Sequence, residues 1–353
     1  MSPASIRVVP ELRAAHIERH RTGTAAELLY LDTNYDLAGT ELAEGIRRTT
    51  LVGALGRFLS TGASTLEVPE PLWVRFWPKH VLLAVGFRLA GAIRGRRHSV
   101  VTYAMENNEV RTLVGGRHAV PAWVVSAIAL LVGGVARLTI DRIWFATPAA
   151  RAAYAQLPFI DSVEHSVGLE LPAAAAGVDP AVPGACVFVG VLEVRKGVDV
   201  LTAAWEIVEE RRTDAFLTLI GPGPERDRLQ RWAAERPRSR RVLGQLPHRA
   251  TNEELARASV LVAPSVPDGR WREQVGLPVK EALAAGLTVV TTDQTGLAPW
   301  LAEHGHGVVP PGDPLRLADA LLAALAAPLP RDAVRGALPE RDGRIVADAW
   351  LHA

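Results

Sequence analysis

The chain has 353 residues, of which 48% are hydrophobic and 22% are charged, and its formal net charge is +1. This length predicts two domains, because single hydrophobic cores stop growing at about 250–300 residues, and the composition excludes an intrinsically disordered chain. The balanced charge gives no overall attraction for nucleic acid, and a single cysteine, Cys186, excludes an intramolecular disulfide and a cysteine-based zinc site.

The beginning of the chain and its cysteine predict a cytoplasmic location. Residues 1–18 carry scattered charges and contain no apolar core followed by small residues, unlike a secretory signal peptide. Cys186 lies in the apolar run 185–189, where a buried hydrophobic role is expected. A lone cysteine of this kind suits a reducing compartment.

The N-terminal half alternates strand-like apolar runs with helical segments, which indicates a parallel sheet. Its strands are expected at residues 28–32, 65–68, 99–104 and 142–146.

Two stretches of this half combine apolar and basic character. Residues 73–97 interleave four aromatic residues with six arginines and lysines, which fits either the headgroup region of an anionic membrane or an amphipathic helix with a solvated basic face. Residues 119–136 contain no charge and are just long enough to span a membrane. Because Pro121 and Gly133-Gly134 interrupt them, we predict a buried or interfacial helix. A peripheral contact with the inner membrane face follows from these patterns as an expectation.

The C-terminal half has the strand, turn and helix period of a doubly wound parallel sheet. Its strands are expected at 185–189, 215–220, 241–243, 260–263 and 288–291, and its helices at 197–211, at 225–235 and from about Pro278 to Gly286. Proline, alanine and glycine in residues 171–184 predict a linker. The expected domains are therefore 1–178, completed by a C-terminal helix at 339–353, and 179–338.

A loop with two glutamates carries the strongest chemical signal. Residues 264–286 read PSVPDGRWREQVGLPVKEALAAG, in which Glu273 precedes Gly276 and a helix that begins near Pro278 and bears Glu281. The first N–H groups of a helix and its positive dipole end bind phosphate, and the two carboxylates offer acceptors for sugar and ribose hydroxyls. On spacing alone, a solvated acidic helix start is the simpler interpretation.

This passage resembles the donor-site signature of the GT4 family of retaining glycosyltransferases, in which two glutamates separated by seven residues flank a glycine-containing loop. The preceding Pro264-Ser265 and the following Glu281-Ala-Leu-Ala-Ala-Gly also match. The resemblance extends from about Cys186 to Leu325. It implies an α/β protein of the GT-B fold, with two Rossmann-like parallel-sheet domains facing across a cleft and a nucleotide-sugar donor held mainly by the C-terminal one.

The resemblance implies further donor contacts. Segment 189–201, VGVLEVRKGVDVL, resembles the family's strand, basic loop and helix, which assigns Gly190 and Lys196 to the diphosphate. Lysine is scarce here, since only Lys79, Lys196 and Lys280 occur. The loops at 220–224 and 243–247 resemble those near the nucleoside, and the second places Leu246 beside the base. The expected donor site is completed by the residues between the two glutamates, Gln274, Val275, Gly276 and Leu277.

The chain departs from the family's pattern in three places. Val191 stands where the family usually has an arginine, so half of a basic pair is absent unless Arg195 or another arginine reaches the diphosphate. No histidine follows the strand at 99–104; Glu106 and Asn107 are assigned in its place, with a satisfied turn as an equal alternative. The nearest candidate for the family's glycine-rich first loop is 34–39, where a plain turn is the better interpretation.

The resemblance implies transfer of a sugar from a nucleoside diphosphate sugar, with retention of anomeric configuration, to an acceptor such as a lipid-linked or polysaccharide precursor. Lys196 and the amides at 276–277 would neutralise the departing diphosphate while Glu273 orients the sugar. Neither a metal nor another cofactor is expected, because Asp-x-Asp, metal-ligand histidine spacing and a phosphate loop are missing. The alternatives are a nucleotide-sugar epimerase and a non-catalytic partner subunit of the same fold.

Overall fold

A computed structural model describes residues 4–33, 42–175 and 181–353. The chain divides into two compact units, Met1–Leu169 with Gly343–Ala353 and Glu170–Asp342. These bounds differ by several residues from the sequence-based division at 178/179 and 338/339. The connection belongs to the second unit because Ala175 N donates a hydrogen bond to Ala284 O at 3.0 Å.

The first unit contains one parallel sheet. Its strands are β1 (Ser5–Leu12), β2 (Ala26–Thr33), β3 (Ile46–Arg48), β4 (Thr65–Val68), β5 (Ser99–Ala104), β6 (Arg142–Phe145) and β7 (Glu164–Val167). They lie in the order β3-β2-β1-β4-β5-β6-β7. The order reverses direction between β1 and β4, and ligands of doubly wound sheets bind at the carboxyl ends of strands at such a switch point.

Helices cover both faces of this sheet. They are α1 (Ala14–Thr22), α2 (Leu51–Ser60), α3 (Trp77–Ile93), α4 (Val110–Gly115), α5 (Ala122–Thr139), α6 (Pro148–Tyr154) and the last helix of the chain, α14 (Gly343–Leu351). On β5, Val100 packs into a core with α2 and α3, whereas Val101 packs with α14. Successive strand residues point to opposite faces, so α3 and α14 lie on opposite sides of the sheet.

The second unit repeats the same plan. Its strands are β8 (Ala185–Val189), β9 (Phe216–Ile220), β10 (Arg240–Gly244), β11 (Val260–Ala263), β12 (Thr288–Thr292) and β13 (Gly307–Val309). Its helices are α7 (Val198–Arg211), α8 (Arg226–Glu235), α9 (His248–Arg257), α10 (Leu277–Ala284), α11 (Ala298–Glu303), α12 (Pro314–Ala326) and α13 (Arg331–Gly336). All strands are parallel, in the order β10-β9-β8-β11-β12-β13, and the switch point lies between β8 and β11.

The sequence patterns predicted most of these elements. The bounds of β4, β5, β8 and β11 agree residue for residue with the apolar runs, and two Rossmann-like sheets are present as the fold class requires. The patterns missed the short strands β3, β7 and β13. They also missed β1, whose sequence SIRVVPEL contains charged residues. Arg7 of β1 is nevertheless buried, because its charge is paired inside the protein.

A buried ion network joins the last helix to the first unit. Asp348 of α14 lies 2.5 Å from both Arg7 and Arg19, and Arg19 also forms two bonds with the Glu67 carboxylate at 2.6 and 2.7 Å. Burial opposes ionisation of Glu67 and Asp348, but the two guanidinium groups hold the pKa of both carboxyls below its usual value. His352 adds a third metal-type ligand to this cluster, but the arginines already neutralise the carboxylates, so we interpret it as structural.

Lys280 of α10 forms ion pairs with the residues at which the chain enters and leaves the second unit. Lys280 Nζ lies 3.2 Å from a carboxylate oxygen of Glu170 and 3.2 Å from one of Asp342. These two acids are the first and last residues of the second unit. Lys280 is therefore engaged at the ends of the unit and does not join the cluster described next.

Candidate functional site

The loops that follow β8 and β11 meet at the switch point of the second sheet. Lys196 ends a short 3₁₀ turn after β8, and Glu273 lies in the loop after β11. Lys196 Nζ is 2.5 Å from Glu273 Oε2. The structure therefore joins the two residues that the resemblance assigned to catalysis, at the sheet edge where ligands bind.

Close backbone packing holds these two loops together. Gly197, directly after the lysine, has φ +77°, and a Cβ atom there would lie 1.9 Å from the carbonyl oxygen of Pro264. Val266 N also donates a hydrogen bond to Arg195 O at 2.9 Å. Only glycine fits at 197 without moving the loops apart, so this residue determines the reach of Lys196.

The Lys196–Glu273 pair is partly open to solvent. The two side chains are 21% and 19% exposed, and Ser265 Oγ donates a second hydrogen bond to Glu273 Oε2 at 3.1 Å. Water and a ligand can therefore reach the pair, and a diphosphate can compete with the carboxylate for the ammonium group.

A tryptophan that the sequence analysis did not assign completes this cluster. Arg195 Cζ lies 4.5 Å and Lys196 Nζ 4.9 Å from the ring centroid of Trp271, distances at which a cation is attracted to the ring. Arg195 is also paired with Glu193 at 2.7 Å. Arg195, considered above as a replacement for the arginine that is absent at position 191, therefore lies beside Lys196. A large aromatic residue in an otherwise polar Pro- and Gly-containing loop was the signal available.

Hydrogen bonds to its carbonyl groups fix the loop between Glu273 and Glu281. Gly276, at φ +86°, immediately precedes α10, whose first turn contains Leu277 and a proline. The carbonyl of Gln274 accepts from Gly296 N at 2.7 Å, and the carbonyl of Val275 accepts from Thr295 Oγ1 at 2.8 Å. Val275 is buried and Leu277 is exposed. The backbone enters α10 in one defined direction, with the first-turn amides at the sheet edge.

Glu281 lies one turn into α10, beside the start of α9. Its Oε1 atom is 3.7 Å from Nδ1 of the exposed His248, and the Glu281 side chain is partly exposed. Leu246, partly exposed, is two residues before His248 in the loop after β10. The residues assigned to the ribose and the base are thus neighbours, and His248 is an addition that sequence reasoning missed.

Gly190 belongs to an interlocked set of strand-end loops. Gly190 N donates to Ile220 O at 3.0 Å, and Gly221 N donates to Gly244 O at 2.8 Å. A Cβ atom on Gly221, at φ +145°, would lie 1.9 Å from Gly190 O. The loops after β8, β9 and β10 therefore pack backbone to backbone.

Glu106 and Asn107 belong to the first unit, where both are buried after β5. Glu106 Oε1 accepts from Asn108 N and Nδ2, each at 2.9 Å, which are the contacts of a satisfied turn. Their assignment to substrate binding stays a prediction. The candidate first loop at 34–39 lies outside the described residues.

A buried carboxyl group that the sequence did not single out supports this turn. Glu70, after β4, accepts from the backbone N–H groups of Met105 and Glu106 at 3.0–3.2 Å and from Tyr154 Oη at 2.8 Å. Burial, together with the charge of Glu106, raises the pKa of Glu70 to about 8.

Comparisons with known proteins agree with this geometry. Residues 183–327 match the model of the family described as Glycosyl transferases group 1. Over 135 residues the chain is 36% identical to a phosphatidyl-myo-inositol mannosyltransferase of Mycobacterium leprae, covering 38% of this chain and 34% of that protein. Over 153 residues it is 33% identical to a glycogen synthase of Mycobacterium tuberculosis, covering 41% and 35%. The matched segment thus spans about a third of these curated relatives.

Solved structures resemble the chain over nearly its full length. HepE of Anabaena in complex with UDP gives a TM-score of 0.64 at 11% identity, covering 99% of this chain and 95% of the other. WaaG, a glycosyltransferase involved in lipopolysaccharide biosynthesis, gives 0.64 at 13%, covering 98% and 99%. At these identities the likeness concerns the fold. The protein is of the GT-B class, with two Rossmann-like parallel sheets. Residues 183–327, which contain the Lys196–Glu273 cluster, match the model of the group 1 glycosyltransferases, in agreement with the resemblance seen in the sequence.

Proposed function

We propose that the protein transfers a sugar from a nucleoside diphosphate sugar to an acceptor hydroxyl with retention of anomeric configuration. The contact between Lys196 and Glu273 carries this proposal, because it joins a cation for the diphosphate and an acceptor for sugar hydroxyls at the switch point between β8 and β11. The names of the relatives, which are a mannosyltransferase and a glycogen synthase, support the same class of reaction.

The chemistry needs no side-chain nucleophile in this proposal. The bond between the anomeric carbon and the diphosphate oxygen breaks, and the acceptor oxygen bonds to that carbon on the same face. The proton of the acceptor hydroxyl passes to the departing phosphate. Lys196 and the first-turn amides of α10 stabilise the negative charge that develops on the leaving group.

Donor binding would exchange one partner of Lys196 for another. The ammonium group is paired with Glu273 at 2.5 Å, and the carboxylate also accepts a hydrogen bond from Ser265. A diphosphate carries more charge than a carboxylate and would attract Lys196, which leaves Glu273 to accept hydroxyl groups of the sugar. Trp271 and Arg195 keep the lysine in place during this exchange.

We also propose that the reaction is independent of metal ions. The described part of the donor cluster offers a lysine, an arginine and helix amides for the diphosphate, which perform the charge neutralisation that a divalent cation performs elsewhere. Activity that persists in excess chelator is the expected result, and activity that requires added Mg²⁺ or Mn²⁺ would contradict it.

The first unit offers an apolar place for the acceptor, and we propose a lipid-linked acceptor on this basis. A small pocket at its switch point is lined by apolar residues, with Lys79 and His80 beside them; the apolar ones are Val8, Pro10, Leu31, Pro69, Phe76 and Leu83. Burial lowers the pKa of His80 to about 4, so its imidazole is neutral at pH 7. These mostly apolar walls are the observation that supports an acceptor with an apolar portion.

The decisive experiment incubates the protein with a panel of nucleotide sugars and follows donor binding by thermal shift and products by ¹H NMR. A ligand that binds the native state raises its melting temperature. Release of nucleoside diphosphate with a sugar product of the donor's anomeric configuration is expected. A donor converted into its epimer would instead identify the epimerase, and no binding to any nucleotide sugar would identify a non-catalytic partner subunit.

A further inference from the structure

Three adjacent helices of the first unit expose apolar side chains to solvent. The structure describes nineteen exposed large apolar side chains, and ten of them lie on α2, α3 and α5. They are Val52 and Leu59 on α2, Leu82, Val85, Leu89 and Ile93 on α3, and Trp123, Leu130, Leu131 and Leu138 on α5. We call this set the apolar face. A concentration of this kind on one side of a unit marks an interaction surface.

The spacing of these side chains gives each helix an outward apolar stripe. On α3 they recur at intervals of three and four residues from Leu82 to Ile93, which is one side of an α-helix. The opposite side of the same helix is buried, and Phe87 contacts Phe58 of α2 with ring centroids 5.1 Å apart. Leu55 of α2 lies against Gly86, where a Cβ atom would approach it to 2.3 Å. The stripes are therefore held side by side on a folded support.

The helix α5 is the longest of the three and is anchored in the unit. Among the described residues it is the one helix long and apolar enough to cross a membrane by length and composition. Its inner side packs into the core through Ala129, Val132 and Ala136, and a Cβ atom at Gly133 would lie 2.1 Å from the carbonyl oxygen of Pro158. Trp123 and Leu138, 74% and 75% exposed, bracket its outer side. Such a helix is placed to lie along a surface.

The three helices carry basic but no acidic side chains, and Asp141, just after α5, pairs with Arg88 of α3 at 2.9 Å. None of the three helices contains an aspartate or glutamate, and residues 71–105 carry six arginines and lysines with no acidic residue. Arg96 and Arg97 are exposed just beyond the end of α3. At its beginning, Arg75 and Lys79 lie over the ring of Phe76, at 5.5 and 5.8 Å from the centroid. Basic heads on aromatic bodies are typical of the headgroup level of a membrane.

We propose that the apolar face docks the protein onto a bilayer that contains anionic lipids, with the stripes of α2, α3 and α5 entering the interface and the arginines and lysines contacting headgroup phosphates. A second copy of the chain fits less well, because a two-fold interface would bring the basic side chains at the two ends of α3 together. The inference goes beyond the proposed function, since it concerns where the protein acts and does not require that transfer occurs.

Vesicle sedimentation of the full chain tests this surface. We expect binding to phosphatidylcholine vesicles that contain phosphatidylglycerol, at least tenfold weaker binding to phosphatidylcholine alone, and loss of binding as salt is raised. Leu89→Glu with Trp123→Glu, and separately Arg96→Glu with Arg97→Glu, should each reduce binding at least tenfold. Leu315→Glu and Arg249→Glu place the same changes at exposed positions of the second unit, and they should bind as the wild type does.

A second measurement avoids dependence on the folding of charged variants. Brominated lipid should quench tryptophan fluorescence of the wild type, and Trp123→Phe, which keeps an aromatic ring, should lose part of that quenching. Wild-type protein that stays in the supernatant with anionic vesicles, or paired variants that bind like the wild type, would overturn the proposal. A dimer in sedimentation equilibrium that Leu89→Glu with Trp123→Glu disrupts would assign the apolar face to self-association instead.

Discussion

At the scale of single residues, charge compensation and stacking on a tryptophan hold the cluster around Lys196 and Glu273 together. Lys196 and Glu273 neutralise each other at 2.5 Å, and Trp271 lies beneath both Lys196 and Arg195. The carboxylate of Glu273 therefore compensates the charge of Lys196. Substitutions of Lys196 and of Glu273 should therefore have opposite effects on the affinity for a nucleoside diphosphate.

The first prediction concerns these partners. Lys196→Ala should weaken binding of a nucleoside diphosphate and lower turnover by about 10²-fold, because a preorganised cation facing the leaving group contributes about 2–4 kcal/mol. Glu273→Gln should bind the free nucleoside diphosphate at least as tightly as the wild type, since it releases the lysine, yet it should lose turnover with the nucleotide sugar. Calorimetry and a release assay measure the two effects.

A matched control is Lys79→Ala, which removes a lysine from the first unit. It should leave nucleoside diphosphate affinity unchanged. If Glu273→Gln and Lys196→Ala weaken nucleoside diphosphate binding equally, the assignment of the carboxylate to the sugar is wrong.

The second prediction concerns the ribose. Glu281→Ala should weaken binding of a nucleoside diphosphate by about tenfold, because charge-assisted hydrogen bonds contribute about 1.5–3 kcal/mol each and water replaces part of that at a partly exposed site. The neighbouring Glu253→Ala, on exposed α9, serves as the control. Affinity that is unchanged in Glu281→Ala by calorimetry would remove the ribose role.

At the scale of elements, buried charged groups connect the ends of strands and helices in the first unit. Glu70 fastens the turn after β5 to the segment after β4, while Asp348 fastens α14 to β1 and α1. Both carboxyl groups are buried, but their pKa values move in opposite directions, because Asp348 faces two guanidinium groups whereas Glu70 lies near the carboxylate of Glu106. The stability of the unit should therefore respond to pH in two distinct ranges.

The third prediction concerns Glu70. Because its pKa is raised from an ordinary 4.5 to about 8, the folded protein keeps a proton that the unfolded chain releases across that range, so stability falls as pH rises through it. Glu70→Gln carries no titrating group and should show a smaller decrease in the free energy of unfolding between pH 5 and pH 8. Urea unfolding at several pH values measures this slope. Glu109→Gln, at an exposed position nearby, should retain the wild-type slope.

The fourth prediction concerns the attachment of α14. Asp348→Asn should destabilise the first unit by about 3–5 kcal/mol, because it leaves Arg7 and Arg19 buried with a single carboxylate between them. Since the pKa of Asp348 is lowered, this contribution is present above its ordinary pKa near 4 and is lost as pH falls below it. Hydrogen exchange should show faster opening of β1 and α14, with exchange in the second unit unchanged. Equal acceleration in both units would indicate a different cause.

At the scale of the whole molecule, the two units share one plan but differ in surface chemistry. Each has a parallel sheet whose order reverses at one point. The switch point of the second unit carries a lysine and a glutamate, whereas a pocket at that of the first unit is lined largely by apolar residues. The charges are also distributed unevenly along the chain. Its net charge is +1, but residues 71–105 alone carry six positive charges and no acidic residue. Under the proposed function, this division would place the diphosphate in the second unit and the acceptor in the first.

The fifth prediction follows from this division. Hydrogen exchange of the full chain with a saturating nucleoside diphosphate should show protection in residues 190–197 and 264–281, and little change in residues 65–140. The matched control adds the free sugar without the nucleotide, which should protect neither region. Protection confined to residues 65–140 would reverse the assignment of the units.

The amino-acid pattern by itself determined the sheets and much of the donor loop. Apolar runs bounded by turns are local signals, so the sequence predicts β4, β5, β8 and β11 directly. The order of the motifs also indicated Glu273 and Lys196, which lie in contact. Local patterns could not reveal β1, because the burial of Arg7 depends on carboxylates 60 and 341 residues away in the chain. They also could not reveal the contacts of Glu70 and Trp271, or that the apolar sides of α2, α3 and α5 lie next to one another. Whether a side chain is paired, stacked or exposed is decided by neighbours that only the tertiary structure brings together.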